Sequence, residues 1–252
     1  MQLELESLLN LSKKTARIAL DKLIEIDREE EKHYSFDQDI PREVKAKADT
    51  IIEKIILDKL ITTGIDILSE ESGILTGDNS SSFRFIIDPI DGTVNFIRGI
   101  ATCSICIALF DGDTPLFGVI ASYPSGEVVW GGRGLGAFLD GSKLQVSTIG
   151  SPEKGVLCTG LPSRFKFDKQ SFSLQMKLMS KFGKTRMLGA ASQSLLQVAK
   201  GSAECYSEQS IMLWDVAAGI AIVEGAGGKV KITNGDGADE SLNVTVDNGC
   251  IS

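Results

Sequence analysis

Two aspartates three residues apart follow an apolar run near the middle of the chain. Asp88 and Asp91 lie in the stretch Phe-Ile-Ile-Asp-Pro-Ile-Asp-Gly-Thr at residues 85–93. The apolar run predicts a buried strand. Pro89 is expected to end its pairing, because proline has no amide hydrogen. The Asp-Gly-Thr that follows predicts a turn that opens a short helix.

Two carboxylates at the end of a rigid strand, with free amides beside them, suit a hard cation such as Mg²⁺. An aspartate before Gly-Thr is also a common turn or helix N-cap residue. This stretch alone therefore leaves a structural and a metal-binding interpretation open.

Further acidic residues occur where other predicted elements begin or end. Glu70 and Glu71 follow a predicted short strand, and Asp215 opens an almost wholly apolar predicted helix at residues 214–224. A helix that is apolar all round is buried, and a buried charge needs a partner. Asp215 is therefore either a cap satisfied by backbone amides or a metal ligand directed towards the first two aspartates.

Composition limits the classes of partner. The 252 residues include 42% hydrophobic and 24% charged residues, which is ordinary for a globular protein. A net charge of −8 and a pI of about 4.8 argue against nucleic acid or an anionic membrane surface as the main partner. No apolar run approaches the ~20 residues of a membrane span. The start, Met-Gln-Leu-Glu, lacks the features of a signal peptide, so we expect a cytoplasmic protein.

Cysteine and histidine usage excludes several kinds of site. The five cysteines are scattered and odd in number, which fits reduced thiols. Cys103 and Cys106 have C-x-x-C spacing but lie in a predicted strand, where residues three apart point to opposite faces. The single histidine, His33, is expected in an exposed loop. The sequence therefore offers no Ser-His-Asp triad and no histidine-based zinc site.

The order of predicted elements suggests two halves. Long amphipathic helices are predicted at residues 3–31 and 43–62, and antiparallel strands split by turns at residues 102–147. Strands and helices alternate after about residue 151, which is typical of an α/β layer. We expect residues 1–150 to form an α+β domain with most of the candidate ligands. Residues 151–252 are expected to form an α/β domain that supplies Asp215 and the substrate contacts.

Three acidic motifs together resemble the inositol monophosphatase family of Mg²⁺-dependent, lithium-sensitive phosphatases. They are Glu70-Glu71, Asp-Pro-Ile-Asp-Gly-Thr at residues 88–93, and Trp214-Asp215. They occur in the family's order and at its approximate spacing, and the likeness covers about residues 8–246. The resemblance implies a mixed α+β and α/β fold, a layered α-β-α-β-α sandwich of the sugar phosphatase type. It also implies a homodimer that acts on a small phosphate ester.

The resemblance also implies a role for each site residue. The first Mg²⁺ would be held by Glu70, Asp88 and the carbonyl of Ile90. The second would be held by Asp88, Asp91 and Asp215. The catalytic residues would be Glu70, Asp91 and Thr93, with Thr93 and Glu70 orienting the attacking water. The substrate would be bound by the amides of Gly92 and Thr93, by Glu208 at its hydroxyls, and by Gly189, Ala190 and Ala191.

The resemblance further implies two or three Mg²⁺ per site, with Mn²⁺ as a substitute ion and Li⁺ as an inhibitor. Where the family often has Asp-x-Val-Thr-x-x-Asp, only the last residue, Asp49, is kept here. Support for a third ion therefore stays open. The chemistry agrees independently, since two cations ~4 Å apart can activate water and stabilise a leaving oxygen. The carboxylate-rich set, without histidine or cysteine, also suits Mg²⁺.

Several alternatives remain at this point. Asn95-Phe96 and Glu208 favour inositol 1-phosphate, but fructose-1,6-bisphosphate, histidinol phosphate and 3′-phosphoadenosine 5′-phosphate are substrates of relatives. A haloacid-dehalogenase-type phosphatase would need an Asp-x-Asp-x-Thr motif, whereas the acids here are one residue further apart. A third alternative is an inactive metal-binding interaction protein. It conflicts with the complete set of acids and with Thr93.

Overall fold

Two β-sheets and the helices on their faces make up the fold. The computed structural model describes residues 2–28, 34–36, 44–79, 81–235 and 240–251. The described α-helices are α1 (Gln2–Arg28), α2 (Lys47–Leu60), α3 (Thr93–Ile97), α4 (Lys169–Met179), α5 (Ala191–Ala199) and α6 (Leu213–Gly225). Short 3₁₀ helices occupy Ile61–Thr63 and Pro152–Lys154.

The strands fall into a hairpin and two sheets. They are β1 (Tyr34–Phe36), β2 (Val44–Ala46), β3 (Asp66–Ser69), β4 (Gly73–Leu75), β5 (Phe83–Asp91), β6 (Cys103–Asp111), β7 (Thr114–Tyr123), β8 (Val128–Gly132), β9 (Gly136–Leu139), β10 (Ser142–Lys143), β11 (Val156–Thr159), β12 (Lys184–Arg186), β13 (Cys205–Met212), β14 (Lys229–Asn234) and β15 (Ser241–Asp247). The larger sheet has the order β10-β9-β8-β7-β6-β5-β3-β4 and is antiparallel except for the β3–β5 pair. The smaller sheet has the order β12-β11-β13-β15-β14 and is parallel at β11. β1 pairs only with β2 among the described strands.

The helices form three layers around these sheets. Helices α1 and α2 pack on one face of the larger sheet, and α5 and α6 fill the space between the two sheets. Cys158 of β11 belongs to that inner core, so Thr159 points to the outer face of the smaller sheet. Gln175 of α4 donates a hydrogen bond to Thr159 Oγ1 at 2.7 Å, which places α4 outside. The α-β-α-β-α order confirms the expected fold class.

Residues of β6 that are three apart point to opposite faces of the sheet, as predicted. Cys103 packs in the core beneath α1 and α2, whereas Cys106 packs in the core around α5 and α6. Both thiols are buried, and neither forms a disulfide bond with another described cysteine. The C-x-x-C spacing is therefore a consequence of the strand and not a site.

The two halves of the chain meet along an intimate backbone contact. The larger sheet uses residues 66–143 and the smaller one residues 156–247. Between them, α6 lies directly on β7: a Cβ added to Gly118 would be 2.1 Å from the carbonyl oxygen of Ala218. The division into domains near residue 150 stays a prediction, since one core contains residues from both halves.

Several predicted boundaries were wrong. Helix α2 begins at Lys47 and not at residue 43, because residues 44–46 pair with β1 as strand β2. Ile61, which follows the helix, is 59% exposed in the 3₁₀ turn. Strand β4 lies in a stretch for which no strand was predicted. The prediction for His33 lies outside the described residues. Among the described helices, none combines the length and apolar character needed to cross a bilayer.

Candidate metal centre and active site

An irregularity in β5 brings the two motif aspartates to one side of the sheet. Asp88 pairs with Cys106 and Asp91 with Ser104, so three steps along β5 match two steps along β6. In a regular strand residues three apart face opposite ways, and the extra residue of a bulge corrects this. The expectation that Pro89 ends the pairing was wrong: the strand continues to Asp91 and accommodates the proline in the bulge.

The N-terminal turns of α5 and α6 reach this same place. Asp91 Oδ2 accepts hydrogen bonds from the amide (2.7 Å) and the hydroxyl of Ser192, and Oδ1 accepts from the amide of Ala191 at 3.2 Å. Asp215 is the third residue of α6, and its Oδ2 accepts from the amide of Met212 at 3.1 Å. Each of these two carboxylates is therefore held by backbone amides at the start of a helix, and each lines the same pocket.

Asp88, Asp91 and Asp215 form a compact acidic cluster. One carboxylate oxygen from each lies within 4.8 Å of the others. Asp88 is fully buried, and neither of its oxygens receives a hydrogen bond from an amide or hydroxyl among the described residues. Burial, and next the charge of Glu70, raise the pKa of Asp88 well above its usual value. A buried carboxylate without a donor requires a proton or a cation.

Glu70 is placed beside this cluster by a clamp behind it. Burial, followed by the charges of Asp215 and Asp49, raises the pKa of Glu70 well above its ordinary value. Behind Glu70, the buried carboxylate of Glu53 accepts from the hydroxyl of Ser69. Glu53 also accepts from the amide and the hydroxyl of Ser72 at 2.9 and 2.8 Å. The turn that carries Glu70 is thereby fixed on both sides to helix α2.

The same helix also orients Thr93. Asp49 is buried; its Oδ2 accepts from the amide of Ala46 at 2.7 Å and its Oδ1 accepts from Thr93 Oγ1 at 3.2 Å. The Thr93 hydroxyl also lies 2.9 Å from the carbonyl oxygen of Ile90. Burial raises the pKa of Asp49 to about 7, although the Ala46 amide opposes it. Asp49 therefore supports Thr93, while a role towards a third ion stays a prediction.

An open pocket of about 190 Å³ lies in front of the acidic cluster. Its wall contains four of the residues predicted to bind substrate, Gly189, Ala190, Ala191 and Glu208, and three of the predicted metal ligands, Glu70, Asp91 and Asp215. Gly92 and Thr93 lie just behind the wall, since a Cβ added to Gly92 would be 3.1 Å from the Cβ of Ala190. Burial, and then the charges of Asp215 and Asp91, raise the pKa of Glu208 to about 8.

The side chain of Asn95 makes structural hydrogen bonds and does not line the pocket. Its side-chain amide donates to the carbonyl oxygens of Thr102 and Leu188 at 2.7 and 2.8 Å. These bonds hold the chain immediately before Gly189. The preference for inositol phosphate that was inferred from Asn95 therefore loses this support and rests on Glu208.

The residues present fit a divalent cation. The cluster offers oxygen ligands alone, as Mg²⁺ prefers, and the mutual repulsion of its carboxyls would be relieved by positive charge. The ligand sets predicted for two ions are brought together: Asp88, Asp91 and Asp215 in the cluster, and Glu70 and the Ile90 carbonyl beside it. Their individual roles stay predictions.

Sequence reasoning missed the residues that support the ligands. Ser192 holds Asp91, and Glu53 holds the turn around Glu70. A signal for Glu53 was available: it lies four residues after Asp49, on the same face of α2 as the buried Ile52 and Ile56. An acid on the apolar face of an amphipathic helix indicates a specific buried partner.

Loss of the Glu53 clamp should weaken metal binding. We expect Glu53→Ala to lower Mg²⁺ affinity roughly 10–100-fold, the effect typical of residues that orient metal ligands, measured by calorimetric titration. Glu53→Gln should recover much of the affinity, because the Ser72 hydroxyl can rotate to suit an amide. Asp58→Ala, which removes an exposed acid on the same helix, serves as the control. Unchanged Mg²⁺ affinity in a folded Glu53→Ala protein would contradict the positioning role.

The buried acids should make the metal-free fold sensitive to pH. Unfolded Asp and Glu ionise near pH 4, whereas the folded pKa is about 6 for Asp91, about 7 for Asp49 and about 8 for Glu208. The unfolded chain then binds fewer protons at these three groups, so their contribution to stability is full below about pH 4 and is lost as pH rises to about 8. In EDTA, the urea midpoint should fall between pH 5 and pH 8, and Mg²⁺ should restore it at pH 8. A flat or rising midpoint in EDTA would refute this expectation.

Comparison with known proteins agrees with the geometry. The sequence model of the inositol monophosphatase family matches residues 4–249. The chloroplastic phosphatase IMPL1 of Arabidopsis thaliana is 35% identical over 214 residues, which are 80% of this chain and 54% of that protein. The chain thus spans about half the length of the plant relative.

Two further relatives match this chain over most of their own length. The fructose-1,6-bisphosphatase/inositol-1-monophosphatase of Methanocaldococcus jannaschii is 31% identical over 199 residues, 78% of this chain and 75% of that protein. The crystal structure of the extragenic suppressor protein suhB from Bartonella henselae is similar with a TM-score of 0.85 at 30% identity, covering 96% of this chain and 94% of that one. The chain belongs to the inositol monophosphatase family.

Proposed function

We propose that this protein is a Mg²⁺-dependent phosphate monoester hydrolase, with inositol 1-phosphate as the first candidate substrate. The observation that carries the proposal is the cluster of Asp88, Asp91 and Asp215, in which the first two carboxylates are buried and the third is half-buried. No amide or hydroxyl of the described residues donates to Asp88, so its ionised form calls for a cation. A pocket opens onto the cluster, as a small ester requires.

Divalent cations held here would supply Lewis-acid stabilisation of the phosphate and a more acidic water. Glu70, Asp88 and the Ile90 carbonyl would hold one ion. Asp88, Asp91 and Asp215 would hold the other. Mg²⁺ is favoured over softer metals because the cluster contains oxygen ligands only.

Thr93 is placed to orient a water molecule. Its hydroxyl proton can go to the Ile90 carbonyl or to Asp49. When the Ile90 carbonyl serves a cation, the proton goes to Asp49, and a lone pair of Thr93 Oγ1 is left to accept a hydrogen bond from water. Glu70 would hold the same water from the opposite side. Together they would direct it at phosphorus, in line with the leaving oxygen.

The amides of Gly92 and Thr93 would bind the phosphate oxygens. They stand at the start of α3, where the first amides of a helix lack carbonyl partners within the helix. Gly92 has φ +88° and lies against Ala190 of the pocket wall, so a side chain here would be both strained and in contact. Glu208 would accept hydrogen bonds from hydroxyl groups of the alcohol moiety.

Fructose-1,6-bisphosphate is the second candidate substrate. The printed name of the Methanocaldococcus jannaschii relative includes both a fructose-1,6-bisphosphatase and an inositol-1-monophosphatase. A sugar bisphosphate offers hydroxyls to Glu208 as inositol phosphate does, and its second phosphate would have to meet a cation at the outer end of the pocket.

We propose on the family resemblance that the protein is a cytoplasmic homodimer, with Mn²⁺ able to replace Mg²⁺ and Li⁺ inhibitory. Light scattering of the purified protein should then give twice the monomer mass of 27.0 kDa. A mass equal to one chain, at the concentration used for activity, would rule out the dimer.

Phosphate release from a small panel tests the function. The panel comprises inositol 1-phosphate, fructose-1,6-bisphosphate, histidinol phosphate and 3′-phosphoadenosine 5′-phosphate, each with Mg²⁺ and with EDTA. We expect release with Mg²⁺ and none with EDTA, fastest for one of the first two. Absence of release from all four by folded, Mg²⁺-loaded protein would contradict the proposal.

Neutralising one ligand tests the assignment of the residues. Asp215→Asn keeps an oxygen for the Met212 amide but removes a ligand charge, so kcat should fall at least ~100-fold, since the metals contribute several kcal/mol. The kcat of Asp91→Asn should fall by a similar factor. Asp168→Asn, at the N-cap of α4 and outside the site, is the matched control. Near-normal turnover of Asp91→Asn or Asp215→Asn at saturating Mg²⁺ would overturn the two-metal assignment.

A further inference from the structure

Two buried serine side chains connect Asp91 to strand β6. The hydroxyl of Ser192, the second residue of helix α5, donates to Asp91 Oδ2. The hydroxyl of Ser104, in β6, lies 2.5 Å from that of Ser192, and both residues are 0% exposed. The family resemblance assigned no role to either serine. Asp91 is therefore joined to β6 twice, through the pairing of its own strand and through these two hydroxyls.

The register of the larger sheet explains why these groups meet. Ser104 pairs with Asp91 across the β5–β6 ladder, and Cys106 pairs with Asp88. Residues two apart in a strand share a face, and Ser104 Oγ lies 4.0 Å from Cys106 Sγ. Cys106 packs in the core around α5 and α6. The two side chains therefore lie on the face of β6 that α5 covers.

The number of hydrogens decides the direction of these bonds. Each hydroxyl has one hydrogen to donate, and an ionised carboxylate can only accept. When Asp91 is ionised, the hydrogen of Ser192 goes to Asp91 Oδ2. Ser104 must then donate to Ser192, and the oxygen of Ser104 is left to accept from the thiol of Cys106. The bonds run one way, from Cys106 through Ser104 and Ser192 to Asp91.

This direction gives Ser104 an influence on Asp91. A hydroxyl that accepts one hydrogen bond while it donates another is a stronger donor. The amide of Ser192 donates to the same carboxylate oxygen at 2.7 Å, and the amide of Ala191 donates to the other at 3.2 Å. Three donors from one helical turn fix the plane of the Asp91 carboxylate, and Ser104 strengthens one of the three.

We propose that Ser104 is a positioning residue of the metal centre, which acts through the hydroxyl of Ser192 to hold Asp91 in the orientation that binds a cation. This inference rests on the proposed function, because it takes Asp91 as a metal ligand. Residues that orient metal ligands typically change metal affinity 10–100-fold when they are removed. The alternative is that the two serines only tie α5 to the sheet, which would affect stability and leave cation binding unchanged.

A double-mutant cycle tests the proposal. Ser104→Ala, Ser192→Ala and the double variant are compared with the wild type and with Ser194→Ala. Ser194 provides the matched control, because it lies in the same helix, is 1% exposed, and donates from its hydroxyl to the Ala190 carbonyl at 2.9 Å. Mg²⁺ affinity is measured by calorimetry without substrate. The urea midpoint in EDTA is measured for each variant, so that a change in stability is recorded separately.

We expect Ser192→Ala to lower Mg²⁺ affinity roughly 10–100-fold. Ser104→Ala should lower it roughly 3–10-fold, as loss of one supporting hydrogen bond implies. In the Ser192→Ala background, Ser104→Ala should change the affinity less than about 2-fold, because Ser104 reaches Asp91 only through Ser192. Ser104→Cys, whose thiol is a weak donor, should fall between the wild type and Ser104→Ala. Ser194→Ala should keep wild-type affinity.

The outcomes separate positioning from a structural tie. Wild-type Mg²⁺ affinity in Ser104→Ala, whatever its urea midpoint, would overturn the proposal. If Ser104→Ala does not fold, wild-type affinity in Ser104→Cys would overturn it equally. Additive losses in the double variant would also do so, because they would show that Ser104 acts by another route.

The same measurements separate this proposal from the proposed function. The expected affinities together with no turnover of any phosphate ester would support the positioning role and refute the hydrolytic function. Normal Mg²⁺-dependent turnover with additive or absent losses of affinity would refute the positioning role alone. A folded wild type that binds no Mg²⁺ would refute both.

Discussion

Carboxyl groups buried within a few ångströms of one another repel when ionised, and the core of this protein contains several. Asp88 is fully buried and receives no hydrogen bond from an amide or hydroxyl of the described residues, and Glu70, Asp91 and Asp215 lie around it. Such a group is stable only with bound protons or with positive charge between its members. When ionised, the site therefore carries negative charge that the described residues do not neutralise.

The elements around the cluster act mainly to hold these charges in place. The first amides of helix α5 donate to Asp91, and the amide of Met212 at the start of α6 donates to Asp215. Helix α2 supports the remaining residues from behind, through Asp49 at Thr93 and Glu53 at the Glu70 turn. Of the groups supported in this way, Glu70, Asp91 and Asp215 line the pocket.

The sequence implied the layered fold through the family resemblance, and its local pattern picked out acids that the structure brings together, while their roles as ligands stay predictions. Apolar periodicity located most helices, and acids at the ends of apolar runs located Asp88, Asp91 and Asp215. It did not predict how Asp88 and Asp91 reach the same face, since the extra residue of the bulge is defined by pairing with β6. It also missed Glu53, whose partners lie 16 and 19 residues away.

The predictions were less accurate for residue types that have more than one common structural role. Asn95 follows the motif closely and was associated with substrate, but its amide binds two carbonyl groups of the chain. Pro89 was expected to end a strand, and instead it is accommodated where the strand is already irregular. In both cases the deciding contact is with a residue distant in sequence, which no local pattern encodes.

The contact between Gly118 and Ala218 limits how this protein can diverge. Helix α6 rests on β7 with no side chain between them, so the distance from Asp215 to the aspartates of β5 is fixed by main-chain atoms. Over evolutionary time, a larger apolar residue in either core can be compensated by a smaller neighbour, and the distances between the ligands stay constant. Residue 118 has no such freedom: even one added carbon would lift the helix, and the ligand it carries, off the sheet.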